Sequence, residues 1–136
     1  MADKGGDRIM ELKNRSQYLD KLISVQDMEV IKVVTGIRRC GKSSLLKLMM
    51  AHLREQGVME EQILSMNFES MQFADMDSKS LYQYVTERES KGKRLYLFLD
   101  EVQKVRDWQD AVNSFRVDLD CDIYVTGSNA YLLSSA

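Results

Sequence analysis

The sequence predicts a three-layer α/β/α fold in which helices cover both faces of a mainly parallel sheet of about four strands. Four apolar runs, at 30–35, 62–68, 95–99 and 123–126, alternate with segments whose apolar residues recur at helical spacing. The run at 95–99 is almost continuously apolar, which is typical of a strand covered on both faces. The fold class therefore follows from the spacing of apolar residues.

The composition is typical of a globular domain and does not favour a membrane protein or a nucleic-acid-binding segment. The chain has 136 residues, of which 44% are apolar and 29% charged, as in one globular domain. No window approaches about 18 uncharged apolar residues, and residues 1–8 lack the apolar core of a signal peptide. We therefore expect a cytoplasmic protein that does not enter a membrane. The net charge is −2 without a basic stripe, which does not favour direct nucleic-acid binding by this segment.

The first third of the chain predicts an arm, a strand and a helix. Apolar residues within 8–22 recur close to a 3.6 period, so residues 1–28 are interpreted as a polar leader and helical arm. The core domain is predicted over 29–136. After the first strand, a helix is expected over 42–56, with Gly57 at its C-cap.

The remaining helices lie between the later strands. An irregular stretch at 70–78 precedes a helix predicted at 79–89, which residues 91–93 end. A second helix is predicted at 107–115, and Asp107 is the expected capping residue. These assignments complete an alternation of strands and helices along the chain.

Residues 36–43 read G-x-x-x-x-G-K-S and follow the first predicted strand, which is the context of a phosphate-binding loop. Gly36 and Gly41 keep side chains out of the concavity formed by the backbone N–H groups. Lys42 can place its ammonium on the β- and γ-phosphates, and the Ser43 hydroxyl can ligate Mg²⁺. The alternative is a glycine-bearing turn between a strand and a helix. The candidate nucleotide-binding residues are Gly36, Ile37, Arg38, Arg39, Cys40, Gly41, Lys42, Ser43 and Ser44.

Two acids end the strand at 95–99. In open α/β sheets the ligand lies beyond the carboxyl ends of the strands, so Asp100 and Glu101 should face the same crevice as the loop at 36–43. Asp100 is the candidate metal ligand together with Ser43, and Glu101 is the candidate that orients or deprotonates an attacking water. The alternative is a solvated turn that happens to carry two acids.

Small polar residues follow the last predicted strand. Ser128 and Asn129 come after Gly127, where a hydroxyl or an amide could contact the γ-phosphate or the attacking water. They are therefore counted as candidate catalytic residues beside Lys42 and Glu101. The same side chains could instead cap the next helix, and the two roles are compatible.

Four segments, at 35–43, 67–69, 98–103 and 126–130, together resemble successive signatures of a prokaryotic AAA+-like ATPase family. The resemblance covers nearly the whole chain. It implies that the loop is Walker A, that Asp100 and Glu101 are Walker B, and that Ser128 and Asn129 belong to the sensor-1 region. It also suggests Asn67 or Glu69 as a polar residue that couples Glu101 to a partner.

In this family the ATPase module is fused to a C-terminal domain, so the resemblance implies that the chain is an N-terminal fragment. The four strands are expected in the order 2-3-4-1, truncated before a fifth strand and before a later arginine. The resemblance implies ATP and Mg²⁺ as ligands, an unknown client reached through the missing domain, and a possible homo-oligomer in the full-length protein. Slow hydrolysis is expected of the fragment, because an arginine finger can contribute about 10³–10⁵ in rate.

Three functions remain open at this point. The favoured one is hydrolysis of ATP by an AAA+-type motor or switch, because a metal-binding Asp directly precedes a potential catalytic Glu. The second is a small-molecule phosphotransferase, although no Arg-rich lid segment is visible in the sequence. The third is a nucleotide-gated interaction module that holds ATP without useful hydrolysis.

Overall fold

A computed structural model describes residues 15–35 and 41–127, and within these ranges four strands form one parallel sheet. The strands are β1 (Lys32–Val34), β2 (Ile63–Asn67), β3 (Leu95–Asp100) and β4 (Cys121–Thr126). Their order is β1-β4-β3-β2, which is the predicted order 2-3-4-1 read from the opposite edge. All three pairings are parallel. The predicted α/β fold is therefore confirmed.

Helices occupy both faces of this sheet. They are α1 (Arg15–Ser24), α2 (Gly41–Glu55), α3 (Ser78–Arg88) and α4 (Trp108–Asp118). Helix α1 packs on α2, and α3 packs on α4, so each face carries one pair of helices. Within the described residues, no helix has the length and apolar character needed to span a bilayer.

One half of the core lies between the sheet and the α1–α2 pair. Phe98 of β3 stacks on Tyr124 of β4 with ring centroids 4.7 Å apart, and both rings are fully buried. Leu45, Met49 and Leu53, at helical spacing along α2, are fully buried in the same cluster. This spacing gives α2 its apolar face. Leu48, which the sequence pattern also places on that face, is instead 40% exposed.

The other half of the core lies under α3 and α4. Successive side chains of a strand point to opposite faces, so Leu97 and Leu99 of β3 pack on the face opposite Phe98. Leu81 of α3 and Phe115 of α4 close this cluster. Every residue of β3 is consequently buried, as its continuous apolar run predicts.

Helix α2 ends at Glu55, and Gly57 follows in the left-handed region with φ of 96°. A Cβ at this position would meet nothing within 4 Å, so backbone strain is the only cost of a side chain there. We expect Gly57→Ala to lower the free energy of unfolding by about 1–2 kcal/mol, measured by urea denaturation. Gly57→Asn should lose less, because Asn tolerates this conformation better. Equal stability of Gly57→Ala and wild type would contradict the prediction.

The predicted cap of α4 is wrong. Asp107 does precede the helix, but its side chain makes no capping hydrogen bond. The reason is conformational: Asp107 is left-handed, with φ of 58° and ψ of 37°, whereas a capping side chain needs an extended backbone. The side-chain cap appears instead at α3, where Asp77 accepts from the Ser80 N–H at 2.9 Å.

A buried polar network lies at the amino end of the sheet. The Lys32 ammonium pairs with the Asp122 carboxylate and donates to the Met28 carbonyl at 2.6 Å. The Tyr124 hydroxyl and the Asp27 N–H donate to the other Asp122 oxygen, at 2.7 and 3.0 Å. Burial and the hydrogen bond to Asp122 raise the pKa of Tyr124. The network fixes the turn after α1 against β4.

Cys121 begins β4 and is a free thiol. Its Sγ donates to the Phe115 carbonyl at 3.5 Å, and burial raises the pKa of the thiol to about 11. A thiol of this kind stays protonated near neutral pH, so it is a poor nucleophile. Cys40, the other cysteine of the sequence, lies outside the described residues.

Candidate functional site

Polar side chains from three elements converge at the carboxyl end of the sheet. Gly41 to Ser44 form the first turn of α2, Asp100 is the last residue of β3, and Thr126 is the last residue of β4. Glu101 directly follows β3. Because the carboxyl ends of parallel strands share one edge, the fold itself brings these residues together.

The Lys42 side chain is almost completely buried in this site. Its ammonium donates to the Gly127 carbonyl at 3.0 Å and lies 3.5 Å from a carboxylate oxygen of Glu101. The residue is 9% exposed, so few water molecules compete for the charge. A cation held in this way at a helix start is suited to contact an anionic group.

Asp100 is clamped between two hydroxyl groups. The Ser43 hydroxyl donates to Oδ2 at 2.5 Å, and the Thr126 hydroxyl donates to Oδ1. Ser43 and Asp100 are 57 positions apart in the sequence, and the contact therefore depends on the tertiary fold. The Phe68 N–H also donates to the backbone carbonyl of Asp100 at 3.0 Å, which ties the end of β3 to the segment after β2.

Glu101 adopts a left-handed backbone conformation, with φ of 59° and ψ of 49°. A non-glycine residue in this region is uncommon and costs about 1–2 kcal/mol, so neighbouring contacts must hold it there. The Glu101 N–H donates to the Thr126 hydroxyl at 2.9 Å. The Gln103 amide donates to one carboxylate oxygen at 2.8 Å, and the other oxygen faces Lys42. Both ends of this residue are therefore fixed.

The arrangement offers hard oxygen donors and one cation. The Ser43 hydroxyl and the Asp100 carboxylate are the ligand types that Mg²⁺ prefers, and Mg²⁺ commonly uses few protein ligands together with phosphate oxygens and water. In the described part of the chain, no group of three or more His, Cys, Asp or Glu side chains could hold a metal ion. A site with few protein ligands is therefore the form that these residues could provide.

Several predicted residues fall outside the described part of the chain. They are Gly36, Ile37, Arg38, Arg39, Cys40, Ser128 and Asn129. Of the remaining loop residues, Gly41 and Lys42 are buried at the start of α2, and Ser43 and Ser44 are half-buried in the same turn. The site as described therefore consists of the second half of the loop and the two acids.

Among the described residues, Asn67 and Glu69, suggested by the resemblance, make no hydrogen bond or ion pair with Glu101. The Asn67 side chain accepts from the Glu69 N–H at 2.9 Å, and both residues are exposed. The residues that contact Glu101 from β4 and from its own loop are Thr126 and Gln103, to which sequence reasoning gave no role. The available signal was a hydroxyl-bearing residue at the very end of a predicted strand.

Comparison with protein families and relatives gives three findings. A family model described as an AAA domain matches residues 29–136. An uncharacterized protein of Haemophilus influenzae is 42% identical over 123 residues, and an uncharacterized protein of Methanocaldococcus jannaschii is 26% identical over 127 residues. No solved structure matches.

The two relatives are much longer than this chain. The alignments cover 89% and 92% of the chain, but only 31% and 27% of the respective relatives. The chain thus spans about a third of their length.

Proposed function

The chain belongs to the AAA domain family, and on that basis we propose that it binds ATP with Mg²⁺ and hydrolyses the ATP to ADP and phosphate. The observation that carries the proposal is the contact between Ser43 and Asp100, with Lys42 and Glu101 beside it. Phosphate contact, metal ligation and water activation are the functions that NTP hydrolysis requires, and these four side chains are suited to them.

Each side chain has a distinct part in this proposal. Lys42 contacts the β- and γ-phosphates as a point charge, and Ser43 and Asp100 hold Mg²⁺ directly or through its water shell. When bound, Mg²⁺ neutralises charge that develops on the phosphate oxygens. Glu101 accepts a proton from the attacking water, whose oxygen bonds to the γ-phosphorus as the bond to the β–γ bridging oxygen breaks. Ser128 and Asn129 remain candidates for contacts to the γ-phosphate.

The activity of the whole protein is a wider proposal. Because the chain spans about a third of its relatives, we assign the ATPase chemistry to this domain and the client to another part of the protein. An AAA-type motor or switch in the cytoplasm, forming homo-oligomers, is the form we propose. Nucleotide-dependent size measurement of the full-length protein with ATP and Mg²⁺ tests the assembly.

A second candidate function has one observation in its favour. Both carboxylate oxygens of Glu101 have partners, namely Lys42 and Gln103. A carboxylate engaged in this way would have to leave Lys42 before it could accept a proton, so a nucleotide-gated interaction module without useful hydrolysis remains the alternative. Release of phosphate by the full-length protein at many turnovers per molecule would exclude it.

The proposal predicts that Lys42→Ala weakens ATP binding. Loss of a charge-assisted contact to phosphate costs about 1.5–3 kcal/mol, which corresponds to roughly 10- to 100-fold in affinity. Isothermal titration calorimetry with a slowly hydrolysed ATP analogue and Mg²⁺ measures the effect. Lys47→Ala is the matched control, because Lys47 is an exposed residue of the same helix. Equal affinity of Lys42→Ala and wild type would contradict the proposed phosphate contact.

A further inference from the structure

Thr126 connects the two acids of the site through one hydroxyl group. The residue ends β4 and has no exposed surface. Its oxygen accepts from the Glu101 N–H at 2.9 Å. An N–H can only donate, so the Thr126 hydroxyl hydrogen remains free for the Asp100 carboxylate, to which it donates. The directions of both hydrogen bonds are thereby fixed.

The hydrogen bond from Thr126 to Asp100 distinguishes the two carboxylate oxygens of Asp100. Oδ1 accepts from Thr126, which holds it toward β4, and Oδ2 accepts from Ser43 on the side of α2. Rotation of the carboxylate would break both bonds in a site where Asp100 is only 6% exposed. Oδ2 is consequently the oxygen directed toward the proposed Mg²⁺ and phosphate site.

The hydrogen bond from the Glu101 N–H to Thr126 supports the backbone of Glu101. A left-handed Glu is disfavoured by about 1–2 kcal/mol, and a hydrogen bond from its N–H to a buried acceptor offsets part of this cost. The turn that it stabilises directs the carboxylate back toward Lys42, at 3.5 Å. Gln103 fixes the side chain, whereas Thr126 fixes the main chain.

We propose that Thr126 is a positioning residue for the metal ligand and the catalytic base together, so that β4 sets the orientation of both acids. It acts through Asp100 and Glu101 and needs no contact with substrate. This role rests on the proposed ATP hydrolysis. It is distinct from the candidate role of Ser128 and Asn129, which concerns direct contact with phosphate or water.

The first arm of the test compares Thr126→Val, which keeps the shape and removes the hydroxyl, with Thr126→Ser, which keeps the hydroxyl. Loss of an outer partner of a metal ligand typically reduces metal affinity or activity by about 10- to 100-fold. We expect Thr126→Val to lose this much in kcat and to need more Mg²⁺ for half-maximal turnover, with the ATP affinity measured in EDTA unchanged. Thr126→Ser should recover most of the turnover. A Thr126→Val enzyme with wild-type kcat and Mg²⁺ dependence would overturn the proposal.

The second arm does not depend on activity. Hydrogen exchange of the Glu101 amide, measured by NMR, should be roughly tenfold faster in Thr126→Val than in wild type, because the amide loses a buried acceptor. Thr126→Ser should restore the slow exchange. Electron paramagnetic resonance measures the affinity of the ATP complex for Mn²⁺. This affinity should fall in Thr126→Val but not in Thr126→Ser. Unchanged exchange at Glu101 in Thr126→Val would refute the support of the turn.

The two arms separate the proposal from the proposed function. If wild type binds Mn²⁺–ATP but releases no phosphate, the hydrolase assignment fails, and the exchange and Mn²⁺ measurements still decide the role of Thr126. If Thr126→Val does not fold, Thr126→Ala takes its place. Ser65→Ala is then the control for loss of a strand hydroxyl that is not hydrogen-bonded to either acid among the described residues. Normal Mn²⁺ binding and normal amide exchange in a folded Thr126→Ala protein would overturn the positioning role.

Discussion

Glu101→Gln is expected to lower the rate of ATP hydrolysis by roughly 10²- to 10⁴-fold, which is the usual contribution of a general base. The amide has the size of the carboxylate and retains an oxygen for the Gln103 hydrogen bond, but it cannot accept a proton from water. ATP affinity should be retained, because Lys42, Ser43 and Asp100 are unchanged. Phosphate release and calorimetric titration, measured on the same full-length preparation, separate the two effects.

Glu55→Gln is the matched control for this substitution. Glu55 is the last residue of α2, at the opposite end of the helix from Lys42 and Ser43, and its side chain is exposed. The control should hydrolyse ATP at the wild-type rate. Undiminished hydrolysis by Glu101→Gln would remove Glu101 as the base and leave Asp100 or residues outside the described ranges as candidates.

Asp122→Ala is expected to destabilise the protein by about 3–5 kcal/mol, which is the cost of leaving one member of a buried ion pair without its partner. The Lys32 and Asp122 side chains are 2% and 0% exposed, so water cannot replace the lost carboxylate. The variant also removes the acceptor for the Tyr124 hydroxyl and the Asp27 N–H. Urea unfolding monitored by circular dichroism measures the change.

Two further variants test the cause of this destabilisation. Lys32→Met combined with Asp122→Leu removes both charges, and it should recover a substantial part of the stability lost in Asp122→Ala, because no isolated buried charge remains. Glu60→Gln breaks the Arg54–Glu60 pair, whose side chains are 45% and 72% exposed, and should change stability by about 0–1 kcal/mol. A double variant as unstable as Asp122→Ala would show that packing, not charge, dominates this position.

The sequence predicts most of the layered fold because its signals are local. The apolar run at 95–99 becomes β3, the helical spacing of Leu45, Met49 and Leu53 becomes the buried face of α2, and Gly57 lies just past the end of that helix. The position of Asp100 and Glu101 beside Ser43 and Lys42 is predictable for a related reason, since acids at the carboxyl end of a strand share one edge with the loop. These features depend on a few neighbouring residues and on one topological rule.

The remaining features depend on contacts that local patterns do not specify. The bond from Thr126 to Asp100 requires the register in which β4 lies beside β3, and Lys32 meets Asp122 across 90 positions of sequence. Asp107 has the residue type of a helix cap, but the path of the chain between β3 and α4 gives it a left-handed backbone. In each of these cases the conformation or contact depends on tertiary geometry, which local sequence patterns do not specify.

Strand β4 connects the buried polar network at the amino end of the sheet with the candidate site at its carboxyl end. Its second residue, Asp122, holds the turn after α1, and its last residue, Thr126, holds both acids. Four residue steps separate them, or about 13 Å at the usual rise of a strand. Since β4 is hydrogen-bonded on both sides, to β1 and to β3, it cannot slide lengthwise without breaking one end or the other. The edge that carries the candidate site and the packing of the turn after α1 are therefore linked through one strand.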